Sequence, residues 1–449
     1  MTTVETVAGP WSARYRTTTI GIFALAFLVA FESLAVTTVM PVVADDLDGL
    51  RMYGLAFAMP MAVSVFALTL AGPWMDNQGP AMPMRLGAGV FSAGLLVAGL
   101  APTMTVFLTG RAVQGFGAGL IGVGLYVMIA KLYPHQLRAG VFTVLTSAWV
   151  LPGLVGPAIA GTIAHSIGWR WVFLGVPALA VVSLAMIWNA VGTIESDGRN
   201  EVDRRRVWWA LIVSAGILVI SVAGQRDFTG WPFALGIAII AVVTFSMRLL
   251  PAGTWLMRPG LPGAIALRGL TSSAFFSAEV YVPLSLVNHH GFTPALAGSV
   301  LTCAAVTWFT GSWVAANMAF FDDKPRRAWF GIVGVTVGVG LSASTLWTGI
   351  PVAVAILGYS LAGLGMGMAM STLSVLMLDT SKRGEEGTNS SALQINDAIM
   401  QSLVLSVGSA VFAALLTHHA MLGYRVNFGA AVAIGLFATL AAPRLLKPS

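Results

Sequence analysis

Five ionisable side chains lie inside long apolar runs of this sequence, one of them the glutamate of "FLVAFESLAV" at residues 27–36. A charged group in the hydrocarbon core of a bilayer is costly, so such residues are rare and mark proton sites or substrate pathways. The five candidates for chemistry are Glu32, Arg111, Arg268, Glu279 and Asp397.

Glu32 and Arg111 are predicted to meet. At a rise of about 1.5 Å per residue, Glu32 lies roughly 18 Å, and Arg111 roughly 10 Å, below the outer end of its helix. A buried carboxylate stays ionised beside a guanidinium and takes up a proton when it loses that partner. We expect Glu32 to be a proton-coupling residue that Arg111 tunes. The alternative is a permanent ion pair that only fixes helix packing.

Glu279 and Asp397 are the other two predicted proton-coupling residues. Glu279, in "FFSAEVYVPLSL", is expected to serve proton coupling or substrate binding. Arg268 lies about three turns away on the same helix, out of its reach, and we expect Arg268 to extend to the cytoplasmic interface. Asp397, in "TNSSALQINDAIMQS", either lines a cavity or docks a helix end on a cytoplasmic loop.

The composition places these residues in a membrane protein. The chain has 449 residues, of which 57% are hydrophobic and 9% charged, whereas soluble domains are about 25% charged. Crossing the hydrocarbon core takes about 20 apolar residues. We predict an all-α polytopic membrane protein of fourteen spans, at Thr18–Val43, Tyr53–Met75, Met84–Leu100, Thr105–Leu132, Val141–Ile167, Trp171–Val191, Val207–Gln225, Trp231–Leu250, Gly263–Val287, Pro294–Met318, Trp329–Leu346, Val352–Leu378, Asn389–Leu416 and Phe428–Leu446.

The basic residues orient these spans. With the N-terminus inside, 18 of the 24 Lys and Arg residues fall in cytoplasmic segments and four in outer segments. The positive-inside rule favours that topology, which puts both termini in the cytoplasm. Because these residues lie in short loops, the net charge of +6 does not indicate nucleic-acid binding.

The chain repeats itself. Span four reads "GFGAGLIGVGLYVMI" and span twelve "GLGMGMAMSTLSVLML". Parallel repeats build one large class of secondary transporters, although chance matching in a glycine-rich chain is an alternative. We predict a six-helix bundle at 1–192, a charged linker at 193–206, a two-helix insert at 207–258 and a second six-helix bundle at 259–449. The glycines matched at one offset are Gly115, Gly117 and Gly119 with Gly363, Gly365 and Gly367.

No sequence feature indicates an enzyme. A G-x-x-x-x-G-K-[ST] phosphate loop does not occur, so ATP hydrolysis is not expected. The single cysteine, Cys303, and the adjacent histidines at 289–290 and 418–419 do not suggest a metal site. We therefore expect neither a cofactor nor a metal.

Two stretches resemble the major facilitator superfamily, specifically its fourteen-span drug:proton antiporter branch, and the resemblance covers nearly the whole chain. "FESLAVTTVMP" resembles the first-helix motif of that branch, with Glu32 where Asp is usual and a proline nine residues later. "RAVQGFGAG" matches its span-four motif R-x-x-Q-G-x-G at Arg111, Gln114, Gly115 and Gly117. In the family this arginine is tied to proton coupling.

A third stretch, "GLVGPAIAG", resembles the span-five antiporter motif at Gly156, Pro157 and Gly161, with Ala160 in place of one glycine. Proline and glycine there bend the helix and allow tight packing. This suits a gate that seals against leak.

The loop after span two departs from the family pattern. "GPWMDNQGPAMPM" keeps Gly72, Asp76 and Gly79, but basic positions are lost and only Arg85 follows. In the family this loop latches the halves in the outward-facing state. We expect a weaker latch, or one shared with "FFDDKPRRAW", the matching loop of the second half.

The resemblance, with the residues above, implies a major-facilitator fold and proton-coupled efflux of lipophilic or amphipathic compounds. We expect a monomer in the bacterial cytoplasmic membrane, driven by the proton gradient. An uptake symporter for a small metabolite and a non-transporting receptor or scaffold are the alternatives. Met and aromatic surfaces adapt to many ligands, and the predicted cavity residues are Gln114, Trp149, Phe275, Phe276, Asn288, Trp308, Met366 and Asn396.

Overall fold

The computed structural model describes residues 9–195, 203–223, 230–317, 323–381 and 386–445, and all regular structure within them is helical. Fourteen of these helices are long and apolar enough to cross a membrane, which confirms the predicted all-α polytopic fold. In hydrocarbon every backbone polar group must be paired within its own segment, and a helix achieves this.

The first twelve helices are α1 (Arg16–Asp46), α2 (Leu55–Gln78), α3 (Ala81–Gly99), α4 (Met104–Leu132), α5 (His135–Ser166), α6 (Arg170–Gly192), α7 (Arg204–Ala223), α8 (Trp231–Leu249), α9 (Leu261–His290), α10 (Pro294–Asn317), α11 (Lys324–Ser342) and α12 (Val352–Thr380). A final helical stretch is kinked at His419, where φ is −147° and ψ is 58°. The kink separates α13 (Thr388–Leu416) from α14 (Met421–Arg444).

Several helices run beyond the predicted apolar segments. The fifth begins at His135 instead of Val141, and the last begins at Met421 instead of Phe428. Hydropathy marks only the part of a helix in hydrocarbon, whereas backbone hydrogen bonding continues into the interface. Most of the predicted linker lies outside the described residues, and the domain boundaries stay a prediction.

Helix packing follows the predicted repeat. Helices α3 and α4 pack together as α11 and α12 do, and α2 contacts α4 as α10 contacts α12. A Cβ at Gly117 would overlap the α3 backbone at Phe91, and one at Gly365 would overlap the α11 backbone at Val335. The matched glycines therefore permit the same close helix approach in both halves.

The two halves meet on the predicted outer side of the membrane. Gly54, before α2, packs on Ser409 of α13, and the α5 glycine Gly161 packs on Ala295 of α10. These contacts fall near the helix ends farthest from the predicted cytoplasmic side. The halves are therefore sealed on that side.

Helix α7 of the insert is bonded to both halves. The Ser214 hydroxyl donates to the Ala62 carbonyl of α2 (2.5 Å) and accepts from the Phe66 amide (3.2 Å). Ala62 and Phe66 are the spacing of one backbone hydrogen bond in a helix, so this hydroxyl is inserted into the α2 ladder. Near the outer end of α7, Ser221 bonds Ser406 of α13 at 2.7 Å.

We predict that Ser214→Ala lowers stability modestly. Hydrogen bonds between membrane helices average about 0.6 kcal/mol, with a maximum near 1.7 kcal/mol, and the Ala62–Phe66 bond can reform in the variant. Thermal unfolding in detergent measures the effect. Ser246→Ala is the control, since Ser246 is fully buried but bonds only its own helix, at Val243. Equal unfolding temperatures for Ser214→Ala and wild type would contradict the bridging role.

Candidate functional site

Glu32 and Arg111 form a buried ion pair that joins three helices. Each is 4% exposed, and Arg111 Nη1 contacts the Glu32 carboxylate. The same nitrogen donates to Gln114 Oε1 (2.5 Å), and Arg111 Nε donates to the Ala56 carbonyl (3.1 Å). The structure thus places in contact two residues 79 positions apart. Their role in proton coupling stays a prediction.

Both charges of this pair lie in an environment without bulk water. Removing two charges from water costs several kcal/mol each, and good geometry with further hydrogen bonds must offset the cost. The bonds to Gln114 and Ala56 supply that offset for the guanidinium. Separation of the pair would leave two unpaired charges in this environment, which is the costly arrangement.

The second half carries a related pair with a different chemistry. Tyr359 of α12 is fully buried, and its hydroxyl donates to Glu279 Oε2 of α9 at 3.1 Å. The constant offset between the halves matches Tyr359 to Arg111. In each half, a carboxylate on the first helix therefore bonds the residue at this matched position of the fourth helix. Among the described residues Glu279 has no cationic partner.

Three predicted cavity residues surround this second pair. Phe275 stacks on the Tyr359 ring with centroids 5.1 Å apart and lies edge-on to Trp308 at 5.5 Å. Phe276 lies 6.2 Å from Trp308. Glu279 is partly exposed beside this cluster. We call Phe275, Phe276, Trp308 and Tyr359 the aromatic cluster.

Sequence reasoning missed Tyr359 as a site residue. The offset of the repeat matches it to Arg111, but a tyrosine at that position carries no cation and was not predicted as a site residue. A phenol also donates a hydrogen bond to a carboxylate. Glu279, an acidic residue at a similar depth in another helix, was the signal that could have identified Tyr359 as its partner.

Arg268 does not behave as predicted. Its Nε lies 2.8 Å from Asp397 Oδ2, and its Nη1 donates to Ser374 Oγ at 2.5 Å. The expectation that Arg268 only extends to the interface is therefore wrong, because a carboxylate of α13 meets it first. Arg268 of α9 thereby links α12, through Ser374, and α13, through Asp397.

The remaining predicted cavity residues are dispersed. Asn396 donates to the Ile265 carbonyl at 2.7 Å, and Asn288 donates to the Tyr424 hydroxyl at 3.1 Å, so each ties helices together. Met366 is buried, and Gln114 is engaged by Arg111. Trp149 is 52% exposed and forms no ring contact among the described residues. That these five share one cavity with the aromatic cluster stays a prediction.

The span-five motif lies between the halves. A Cβ at Gly161 would meet Ala295, and Pro157 packs near Gly298 of α10. Gly156 faces the Phe31 ring of α1. The tight packing expected there is present, while a role in gating stays a prediction.

Among the described residues, the loop after α2 forms no hydrogen bond or ion pair with the second half. Arg85 stacks on Trp188 of α6, with its guanidinium 3.8 Å from the ring centroid. Asp76 forms no hydrogen bond or ion pair within the part of the chain that is described. Gly79 ends α2 at φ 75°, and a Cβ at Gly72 would meet nothing within 4 Å.

Only part of the matching loop of the second half belongs to the described residues. Asp322 lies outside the described residues. Next to it, Asp323 pairs with Arg326 at 3.1 Å, and Lys324 pairs with Asp379 of α12 at 2.5 Å. These pairs stay within the second half.

Repeated helix bundles with buried ion pairs at membrane depth define a secondary-transporter architecture. The chain belongs to the major facilitator superfamily, whose family model matches residues 22–405. It is a multi-pass membrane transporter and not an enzyme, as expected from the sequence.

Comparison with known proteins agrees with this placement. The chain is similar to the "Probable multidrug-efflux transporter Rv1634" of Mycobacterium tuberculosis, with 27% identity over 403 residues covering 85% of this chain and 84% of that protein. It is 24% identical over 389 residues to the "Multidrug transporter protein MdtP" of Bacillus subtilis, covering 83% and 71%. A crystal structure of a POT family transporter with 5-aminolevulinic acid shares the fold, with a TM-score of 0.72 and 14% identity over 98% of this chain and 99% of that one.

We predict that Arg111→Met destabilises the protein more than the double variant Glu32→Leu/Arg111→Met. Removing one partner leaves a buried unpaired charge, which costs about 3–5 kcal/mol, whereas apolar replacement of both is often neutral. Thermal unfolding of the purified proteins gives the comparison. Equal destabilisation in the two variants would show that the pair is not energetically coupled.

Proposed function

We propose that the chain exports lipophilic or amphipathic compounds in exchange for protons, as a monomer in the bacterial cytoplasmic membrane with both termini inside. The observation that carries this proposal is the buried contact of Glu32 with Arg111. The names of the relatives from Mycobacterium tuberculosis and Bacillus subtilis support efflux. The charge bias of the loops supports the orientation, and the proton gradient supplies the energy without a cofactor.

In the proposed cycle Glu32 carries the proton. In the outer-sealed state described above, Arg111 holds Glu32 ionised and Gln114 holds Arg111 in place. When the halves rock and the outer side opens, loss of the guanidinium contact leaves a carboxylate in a poorly hydrated site, and it takes a proton from outside. Return to the sealed state restores Arg111, which displaces that proton towards the cytoplasm.

The second half is proposed to take the substrate. Glu279 offers a carboxylate whose described partner is a phenol and not a cation, beside the aromatic cluster. Aromatic faces attract cations electrostatically, and ligand sites are mostly apolar with a few placed polar groups. A lipophilic compound with a positive centre fits both features. Asp397, paired with Arg268, is assigned to positioning of α9 and α13.

We predict that Glu32→Gln abolishes uphill export but preserves substrate binding and counterflow, since the amide keeps the shape and loses the titratable group. Proteoliposomes with an imposed pH gradient provide the assay. Asp46→Asn is the matched control on the same helix, because Asp46 forms an exposed pair with Arg170 and such pairs contribute little. Uphill export by Glu32→Gln would overturn the assignment, and proton-linked inward uptake by wild type would favour a symporter.

We predict that Glu279→Gln weakens binding of lipophilic cations about tenfold, the equivalent of about 1.4 kcal/mol, and leaves uncharged lipophilic compounds unaffected. Binding to purified protein is measured by scintillation proximity with one cationic and one neutral ligand. Tyr359→Phe keeps the carboxylate and the ring and removes only the hydrogen bond between them, so it separates the effect of the carboxylate from that of the bond. An equal loss for both ligands would assign Glu279 to structure instead of charge recognition.

A further inference from the structure

An apolar cavity lies where the two-helix insert meets the second bundle. Its volume is about 670 Å³, and its walls come from α7, α8, α9, α13 and α14. The side chains that define it include Leu235, Ile239, Val407, Val426 and Ile434. No charged or aromatic residue belongs to the described lining.

The two most polar residues of the lining contribute almost nothing to its surface. Ser277 and Asn427 are each 3% exposed. The Asn427 amide donates to the Gly408 carbonyl at 3.2 Å and to the Gly423 carbonyl at 2.9 Å, so its N–H groups are already used. A buried water needs two to four polar partners. The cavity is therefore a site for hydrocarbon and not for water.

The cavity lies in the outer half of the membrane and opens towards lipid. Ile239 is about 12 Å below the outer end of α8, and Val426 about 8 Å below that of α14. Ile239 is 46% exposed and Val407 53%. Their neighbour on the outward face, Ile240, is 68% exposed. The mouth is thus continuous with the surface that α8 presents to the bilayer.

We infer that this cavity binds an acyl chain of an outer-leaflet phospholipid. An apolar occupant supplies dispersion contacts to this lining, and acyl chains are the solvent at its mouth. The volume lies within the range of about 300–1,000 Å³ found for ligand sites. A lipophilic cation is a poorer occupant, because the lining has no carboxylate and no aromatic face.

The bound chain has a structural consequence for the insert. Helix α8 contributes Leu235, Ile239 and Val242 to the cavity, and the lipid fills the space between these residues and α13 and α14. The insert is thereby held against the second bundle partly by lipid. This inference does not depend on the direction of transport or on its coupling to protons.

Native mass spectrometry of protein released from nanodiscs of phosphatidylglycerol and phosphatidylethanolamine tests the site. We expect wild type to retain a phospholipid adduct that is lost in Ile239→Trp, since the larger indole obstructs the path of an acyl chain through the cavity. Ile240→Trp is the matched control: it carries the same substitution on the next residue of the same helix, and we expect it to keep the adduct. Retention of the adduct by Ile239→Trp would overturn the inference.

A second measurement needs no variant. Wild type is irradiated in vesicles that contain a phospholipid with a diazirine on its acyl chain, and the adducts are mapped by peptide sequencing. We expect labelling at residues 403–411 of α13 and 426–434 of α14, undiminished by tetraphenylphosphonium. Labelling confined to the outward face of α8, or its displacement by that lipophilic cation, would refute a phospholipid site.

Discussion

The absence of water in the membrane interior is the constraint on which this structure depends. A polar group that is paired with water in a soluble protein must here be paired with the protein itself. Thr69 and Ser221 donate their hydroxyls to carbonyls one turn back in their own helices. Glu32 and Arg111 satisfy the same requirement across three helices. A buried carboxylate is therefore a candidate proton site wherever its contact with a partner can be broken.

The two halves solve the constraint in different ways at equivalent places. In the first half the carboxylate of the first helix meets a guanidinium, and in the second half it meets the phenol of Tyr359. A guanidinium is always charged, so Glu32 forms an ion pair with it when the two side chains are in contact. A phenol is neutral, and its hydroxyl donates one hydrogen bond to Glu279 without supplying a charge. The repeat thus places a carboxylate of the first helix against the matched position of the fourth helix in each half, with a different partner in each.

The sequence predicted features that depend on the length of a segment or on depth along a helix. It missed features that depend on which face each helix turns towards its neighbours. Apolar length predicted fourteen spans, and depth along two helices predicted that Glu32 and Arg111 come within reach. Hydropathy contains no information about which faces meet, so the pairing of Arg268 with Asp397, 129 residues away, was missed. For the same reason the sequence did not indicate that Asn288 and Asn396 each bond a neighbouring helix.

The hydroxyl of Ser214 bonds the Ala62 carbonyl and the Phe66 amide, and this arrangement bears on how α7 could be removed from α2. If α7 were absent, the amide and carbonyl that it occupies lie at the correct spacing to bond each other, and α2 would keep every backbone group paired. Ser406 could likewise turn to a carbonyl of its own helix, as serines in membrane helices do. The helix surfaces uncovered would be apolar and acceptable to lipid. The hydrogen bonds that join α7 to α2 and α13 therefore add little polar cost to its removal.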